Sequence, residues 1–400
     1  MLTRVYGFMS NENSEDALKI NEYVEKNPSC KISKTISIIL QGKKIDLQTF
    51  RLPLDLTYYN IKNGRFAAEY IDLIKKEGHE LNPKNPDDSK KIQSLLFELD
   101  PKQSRILEKD LQQHGQKDPG IMTYDGFVIN GNRRRSVLEE LGSLGHSEFK
   151  FIEVSRLPPN VSSQDLWKVE AGIQLSRNVQ LDYGPINELL KFKEGIDSGL
   201  MPREIANALY GGFKENDILE KLEQLQLIIE YLNFIGEPGV FNRAKRIHEH
   251  FIDLQNVLKG LKKYGAELDE IISVKRIGFQ LIHDGVPQRE IRKIKDILSN
   301  DKSKKEFLKA REYSRPEEQN KKKEKRILAE LNDEFTEARI IFNNCLDSTK
   351  ALSESQQPEK LLRRALTNLE SIDFDSNPLQ KPGITSLISE IESIIKRIKK

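Results

Sequence analysis

Strand signals in this 400-residue chain largely disappear from Gln164 onward, and helical periods dominate from there to the C-terminus. A chain divided in this way is predicted to fold as α+β, with its sheet confined to the N-terminal part. Thr35–Leu40 and Ile45–Leu52 read as two strands of a hairpin around Gln41-Gly42-Lys43-Lys44. Ile121–Tyr124 and Phe127–Ile129 form a second hairpin around Asp125-Gly126, and Phe149–Val154 adds a further strand. Between the hairpins, apolar spacing predicts helices over Phe66–Lys76 and Pro101–His114, while Gly78–Ser89, with Pro83 and Pro86 as helix stops, reads as an exposed loop.

Four hundred residues exceed one ordinary core, so two or three domains are expected. The boundaries fall at an N-terminal extension over 1–34, an α+β domain over 35–163 and a helical domain over 164–300. A charged linker over 301–325 and a C-terminal helical bundle over 326–400 complete the chain. The residues are 37% hydrophobic and 32% charged, a globular composition, and a formal charge of +2 gives no global field for polyanions. Cys30 and Cys345 form no Cys-x-x-Cys motif, and no apolar run approaches the roughly 20 residues that span a bilayer. A cytoplasmic protein without membrane contact is expected.

The stretch Asp125–Leu138, DGFVINGNRRRSVL, carries the chemistry. A strand delivers the chain to Gly131, which permits a tight turn, and a helix begins with Arg133-Arg134-Arg135. Helix N-termini expose unpaired N–H groups that bind oxyanions, and arginine adds bidentate donors. Arginines in a first turn oppose the helix dipole, a conflict that a bound anion removes. A phosphorylated nucleotide fits such a site. The bland alternative is a solvated charge run on a surface helix.

The order of the Leu107–Gly115 helix, the two strands around Asp125-Gly126 and Gly131-Asn132-Arg133-Arg134 resembles the nucleotide-binding domain of the ParB/sulfiredoxin superfamily, whose partition proteins carry Gly-Glu-Arg-Arg. Asn60–Arg65, NIKNGR, is similar to that family's Asn/Pro-rich loop ending in arginine, and Arg177-Asn178-Val179-Gln180 resembles its Glu-Asn-x-Gln-Arg segment. The resemblance spans roughly residues 53–190. It implies that Arg65, Gly131, Asn132, Arg133 and Arg134 contact nucleotide phosphates, with Asn178 and Gln180 near the triphosphate and its magnesium. CTP or ATP with Mg2+, a homodimer and nucleotide-dependent DNA association are the implied ligands and behaviour. Asn132 replaces the family's glutamate, which places hydrolysis in question; Glu170 is the candidate substitute for a metal-binding carboxylate. Sulfiredoxin chemistry needs a cysteine in this motif, and the chain has none there. A phosphotransferase with Asp125 as its nearest carboxylate, a nuclease, and a scaffold using the C-terminal bundle are the alternatives.

Pro202–Tyr210, Gly211-Gly212 and Asp217–Phe234 stand where partition proteins have a helix-turn-helix. Glu215, Asp217, Glu220 and Glu223 crowd the outward face of its second helix, where a DNA reader presents Arg, Lys, Asn or Gln. Arg243–Arg246, Lys302–Lys305 and Lys321–Arg326 are the other basic clusters. His248 and His250, two residues apart, do not share a helix face and make a poor metal site.

Overall fold

A computed structural model of the chain describes residues 12–175, 184–209, 212–314, 336–354, 358–371 and 382–398. The strands are β1 (Lys31–Leu40), β2 (Lys43–Pro53), β3 (Tyr58–Tyr59), β4 (Gly120–Met122), β5 (Phe127–Asn130) and β6 (Phe151–Arg156). They form one mixed sheet in the order β1-β2-β6-β4-β5-β3, in which only β6–β4 and β5–β3 are parallel pairs. The first hairpin closes on Gln41 and Gly42, both at positive φ (51° and 76°). That geometry matches the twist of the flanking strands.

Alternation puts neighbouring residues on opposite faces. Met122 joins Leu52, Ile152 and Val154 on one face, while Ile121 joins Leu47 and Ile129 on the other. The first face is covered by α1 (Glu15–Lys26), α4 (Pro101–His114) and α5 (Asn132–Ser143), through Ile20, Leu111, Val137, Leu138 and Leu141. Val169 of α6 (Ser163–Leu175) packs on the second. The segment expected as an N-terminal extension therefore contributes a core helix: Ser14 caps α1 and Ala17 and Ile20 are buried. A single amphipathic helix with half of its residues charged left too few apolar positions for its period to stand out.

The expected loop over Gly78–Ser89 is shortened from its far end. Pro86 is the first residue of α3 (Pro86–Glu98), capped by the Asn85 side chain, so this proline starts a helix rather than stopping one. Helix α2 (Ala67–Glu77) lies between two cores. Tyr70 packs with Tyr59, Phe66, Ile92 and Leu96, whereas Ala68 belongs to the helical core that follows.

That core assembles α7 (Pro185–Asp197), α9 (Glu215–Phe234), α10 (Phe241–Lys245), α11 (His248–Lys263), α12 (Leu268–His283), α13 (Gln288–Ile291), α14 (Ile294–Leu298) and α15 (Asp301–Lys309), while α8 (Pro202–Ala208) packs through Ile205 and Ala206 in a separate cluster with Trp167, Phe192 and Ile218. Helices α11 and α12 approach closely at Gly278, where an added Cβ would lie 2.6 Å from the Leu254 side chain. Part of the expected charged linker is thus helical, with Phe307 fully buried. Helix α16 (Glu337–Glu354) packs Ala338, Phe342, Cys345 and Leu346 into this same core, not into a separate C-terminal unit. Helices α17 (Pro358–Glu370) and α18 (Pro382–Ile398) keep Leu362, Leu366, Leu387 and Ile394 exposed. Among the described residues no helix is long and apolar enough to cross a membrane.

Candidate functional site

The loop Asn60–Arg65 leaves the sheet after β3 and meets the start of α5, bringing together two motifs separated by more than sixty residues of sequence. Asn132 is the clasp. Its Oδ1 accepts the Asn60 backbone N–H at 3.1 Å, and its Nδ2 donates to the Val128 carbonyl at 2.6 Å. Asn63 donates to the Ile129 carbonyl at 3.3 Å and accepts the Arg65 N–H at 3.0 Å. Asn187 of α7 donates to the Arg65 carbonyl and accepts the Ala68 N–H, both at 2.9 Å. With Asn132 and Asn63 only 3% exposed, both amides are spent on loop geometry.

The far side of the loop rests on a buried ionic cluster. Glu170 of α6 accepts the Gly64 N–H at 3.2 Å through Oε1 and the Lys191 ammonium at 2.9 Å through Oε2. Lys191, fully buried, also donates to Glu194 at 2.9 Å. Burial raises the Glu170 carboxyl above its ordinary range despite the Lys191 charge. Burial alone would lower Lys191, but Glu170 and Glu194 carry it above the usual lysine value.

Helix α5 starts at Gly131, which adopts φ +111°, with no side-chain cap and no acidic residue in its first turn. Its N-terminal N–H groups therefore lack the usual carboxylate or hydroxyl acceptor. The three arginines diverge from there. Arg135 is structural, with its guanidinium 3.9 Å from the Tyr59 ring centre and bonded to Thr57, Leu54 and Glu139. Arg134 folds back beside Gly131 and is held below the usual arginine range by burial, with Asp118 and Glu153 opposing that shift. Arg133 faces Arg65. Burial, and then the Arg65 charge, lower its pKa, and Asp100 supplies the counter-pull. The buried Nη1 atoms of Arg133 and Arg134 have no hydrogen-bond partner.

Of the residues expected to bind phosphate, the structure brings Arg65, Gly131, Asn132, Arg133 and Arg134 into one neighbourhood, with Arg134 Nη1 folded back beside Gly131. Asn178 and Gln180 lie outside the described residues. Glu170 has both carboxylate oxygens engaged by Gly64 and Lys191, so it does not fit the role of magnesium ligand, and no metal-binding cluster of acids, histidines and cysteines occurs among the described residues. Asp125 accepts from the Thr123 hydroxyl in the tight turn at Gly126, a structural engagement. Sequence reasoning missed Lys62, whose ammonium burial pushes down beside Glu194 and Lys191, and Asn187. Lys62 stood inside the quoted loop motif; Asn187 carried no local signal.

The α8–α9 pair presents Glu215, Asp217, Glu220 and Glu223 to solvent. Lys221 is turned onto Glu188 at 2.7 Å, and Glu220 pairs with Lys259 at 2.9 Å. Phosphate would meet carboxylates on this face. Comparison of the chain with family models, curated proteins and solved structures found no match.

Proposed function

We propose that the α+β domain binds the phosphate groups of a nucleoside triphosphate, CTP or ATP, at the start of α5, and that the bound nucleotide regulates association with DNA. One observation carries the reading: at a helix N-terminus with neither cap nor acid, Arg133 stands partly buried with one buried nitrogen lacking a partner and feels the like charge of Arg65. Two guanidiniums set against each other raise the energy of the empty site, and an oxyanion between them reverses that sign. The resemblance to the ParB/sulfiredoxin superfamily supports a triphosphate over simpler anions.

The residues favour binding over turnover. Asn132, in the position of the partition-protein glutamate, is committed to the Asn60 clasp, and Glu170 is committed to Lys191. No hydrolytic step is therefore drawn through a metal at this site. The phosphotransferase reading loses its nearest carboxylate to the Thr123–Asp125 turn.

Calorimetric titration of CTP and ATP, with and without magnesium, tests the proposal on the wild type and on Arg65→Ala and Arg133→Ala. Saturable binding reduced at least tenfold in each variant is the expected result. Equal binding in wild type and both variants, or none in any of them, contradicts it.

A further inference from the structure

A second helix-turn-helix arrangement lies beyond the acidic one. Helix α12 ends at His283, and four residues, Asp284–Pro287, lead into α13 and α14. Gly285, at φ +73°, donates to the Ile282 carbonyl at 3.1 Å, and Val286 donates to Leu281 at 3.0 Å. This is a Schellman cap, which fixes the direction of the exit. His250 bonds the Val286 carbonyl at 3.1 Å from the adjoining α11. The length of the turn and its glycine agree with the DNA-binding motif, whereas the two short helices that follow, of four and five residues, offer a face to the phosphate backbone rather than one recognition helix to the groove. By contrast, the connection from α8 to α9 takes six residues, Leu209–Lys214.

The face of α13–α14 is opposite in character to that of α9. Ile291, Ile294 and Ile297 are fully buried and anchor the segment. Arg289, Arg292 and Lys295 are exposed, Lys293 half-exposed, against the acids Glu290 and Asp296. Asp253 of α11 holds Arg292 through two bonds of 3.1 and 3.2 Å. Arg289, Lys293 and Lys295 have no ion-pair partner among the described residues.

We infer that α13–α14 is a contact surface for the phosphate backbone of duplex DNA, seated through Arg289, Lys293 and Lys295. Charge complementarity selects the partner. Protein interfaces deplete lysine and concentrate aromatic and aliphatic side chains at their centres, and this face exposes cations over a buried isoleucine row. The inference does not depend on the nucleotide site, because the residues involved are separate from α5 and its loop.

The test is fluorescence anisotropy of the full-length chain with a mixed-sequence DNA duplex over a range of salt concentrations. Wild type is compared with Arg289→Glu/Lys295→Glu and with a control reversal on α15, Lys302→Glu/Lys305→Glu. All four side chains are exposed, so thermal midpoints should be unchanged. The α13–α14 reversal is expected to weaken binding at least tenfold and to reduce the log–log salt slope by about two, while the control stays near wild type. Absence of wild-type binding, an unchanged α13–α14 variant or an equal loss in the control overturns the inference. So does displacement of the duplex by polyglutamate at equal charge concentration, which would assign the face to an acidic protein. Nucleotide affinity, measured separately on the same preparations, reports on α5 alone.

Discussion

Lys191 and Arg133 are two cations withdrawn from water in adjoining parts of the molecule, and their surroundings are opposite. Lys191 is fully buried between Glu170 and Glu194, each at 2.9 Å. Arg133 is partly buried, faces Arg65, and leaves one buried nitrogen without a partner. A buried charge that is fully matched holds a structure together, whereas one set against its own sign is held there by the rest of the fold. The contrast separates the scaffold of the loop from the part that we propose holds a ligand.

Removing the matched cation should have the largest effect. Lys191→Met strands Glu170 and costs about 3–5 kcal/mol of folding stability, measured by urea denaturation. Glu170→Gln/Lys191→Met should recover most of that loss, because the remaining polar groups no longer carry an unpaired buried charge. Failure of the double variant to recover would mean that the pair acts through something other than charge matching.

Asn132→Ala comes next. It leaves the Asn60 N–H and the Val128 carbonyl without their partner and should cost about 2 kcal/mol in the same assay. Releasing the loop also loosens Arg65, so nucleotide affinity should fall together with stability. A stable variant with normal affinity would remove Asn132 from its role as clasp.

A smaller effect appears in alkali. Lys191 is raised above its unfolded value of 10.5, so its contribution is fully present below that pH and is lost as pH climbs through the higher folded value. Wild type should lose more stability across this window than Glu170→Gln/Lys191→Met, when urea midpoints are followed with rising pH. Parallel curves would mean that the folded pKa is not raised.

How much of this was legible in the sequence differs between the parts of the site. The loop NIKNGR and the GNRR turn were readable because glycine, asparagine and arginine have local backbone and charge meanings. That Asn132 would be a clasp, Arg135 a core residue beneath Tyr59 and Arg134 folded back beside Gly131 depends on long-range packing, which no local period encodes. The Glu170–Lys191 pair joins residues on two helices: Glu170 read as a candidate metal-binding carboxylate and Lys191 as an ordinary charged position, and nothing local couples them. In the fold, Pro86 misled because the same residue serves as a stop and as a first helical position, and only Asn85 in front of it distinguishes the two. The α13–α14 face stayed hidden for a related reason. Its cations are no denser than those of other basic clusters, and their place beside the α12–α13 turn is visible only in the structure.

The smallest stability change is expected for Arg133→Ala, and it provides the most direct test. Urea unfolding of wild type and Arg133→Ala is compared with and without CTP or ATP. Without ligand the variant should match wild type within about 0.5 kcal/mol or exceed it, because a repelled charge has been removed. At a hundredfold excess of ligand over its Kd, wild type should gain about 2.7 kcal/mol while the variant gains much less at the same concentration. An Arg133→Ala protein that is markedly destabilised alone, yet gains as much from nucleotide as wild type, would contradict the account and return Arg133 to the scaffold.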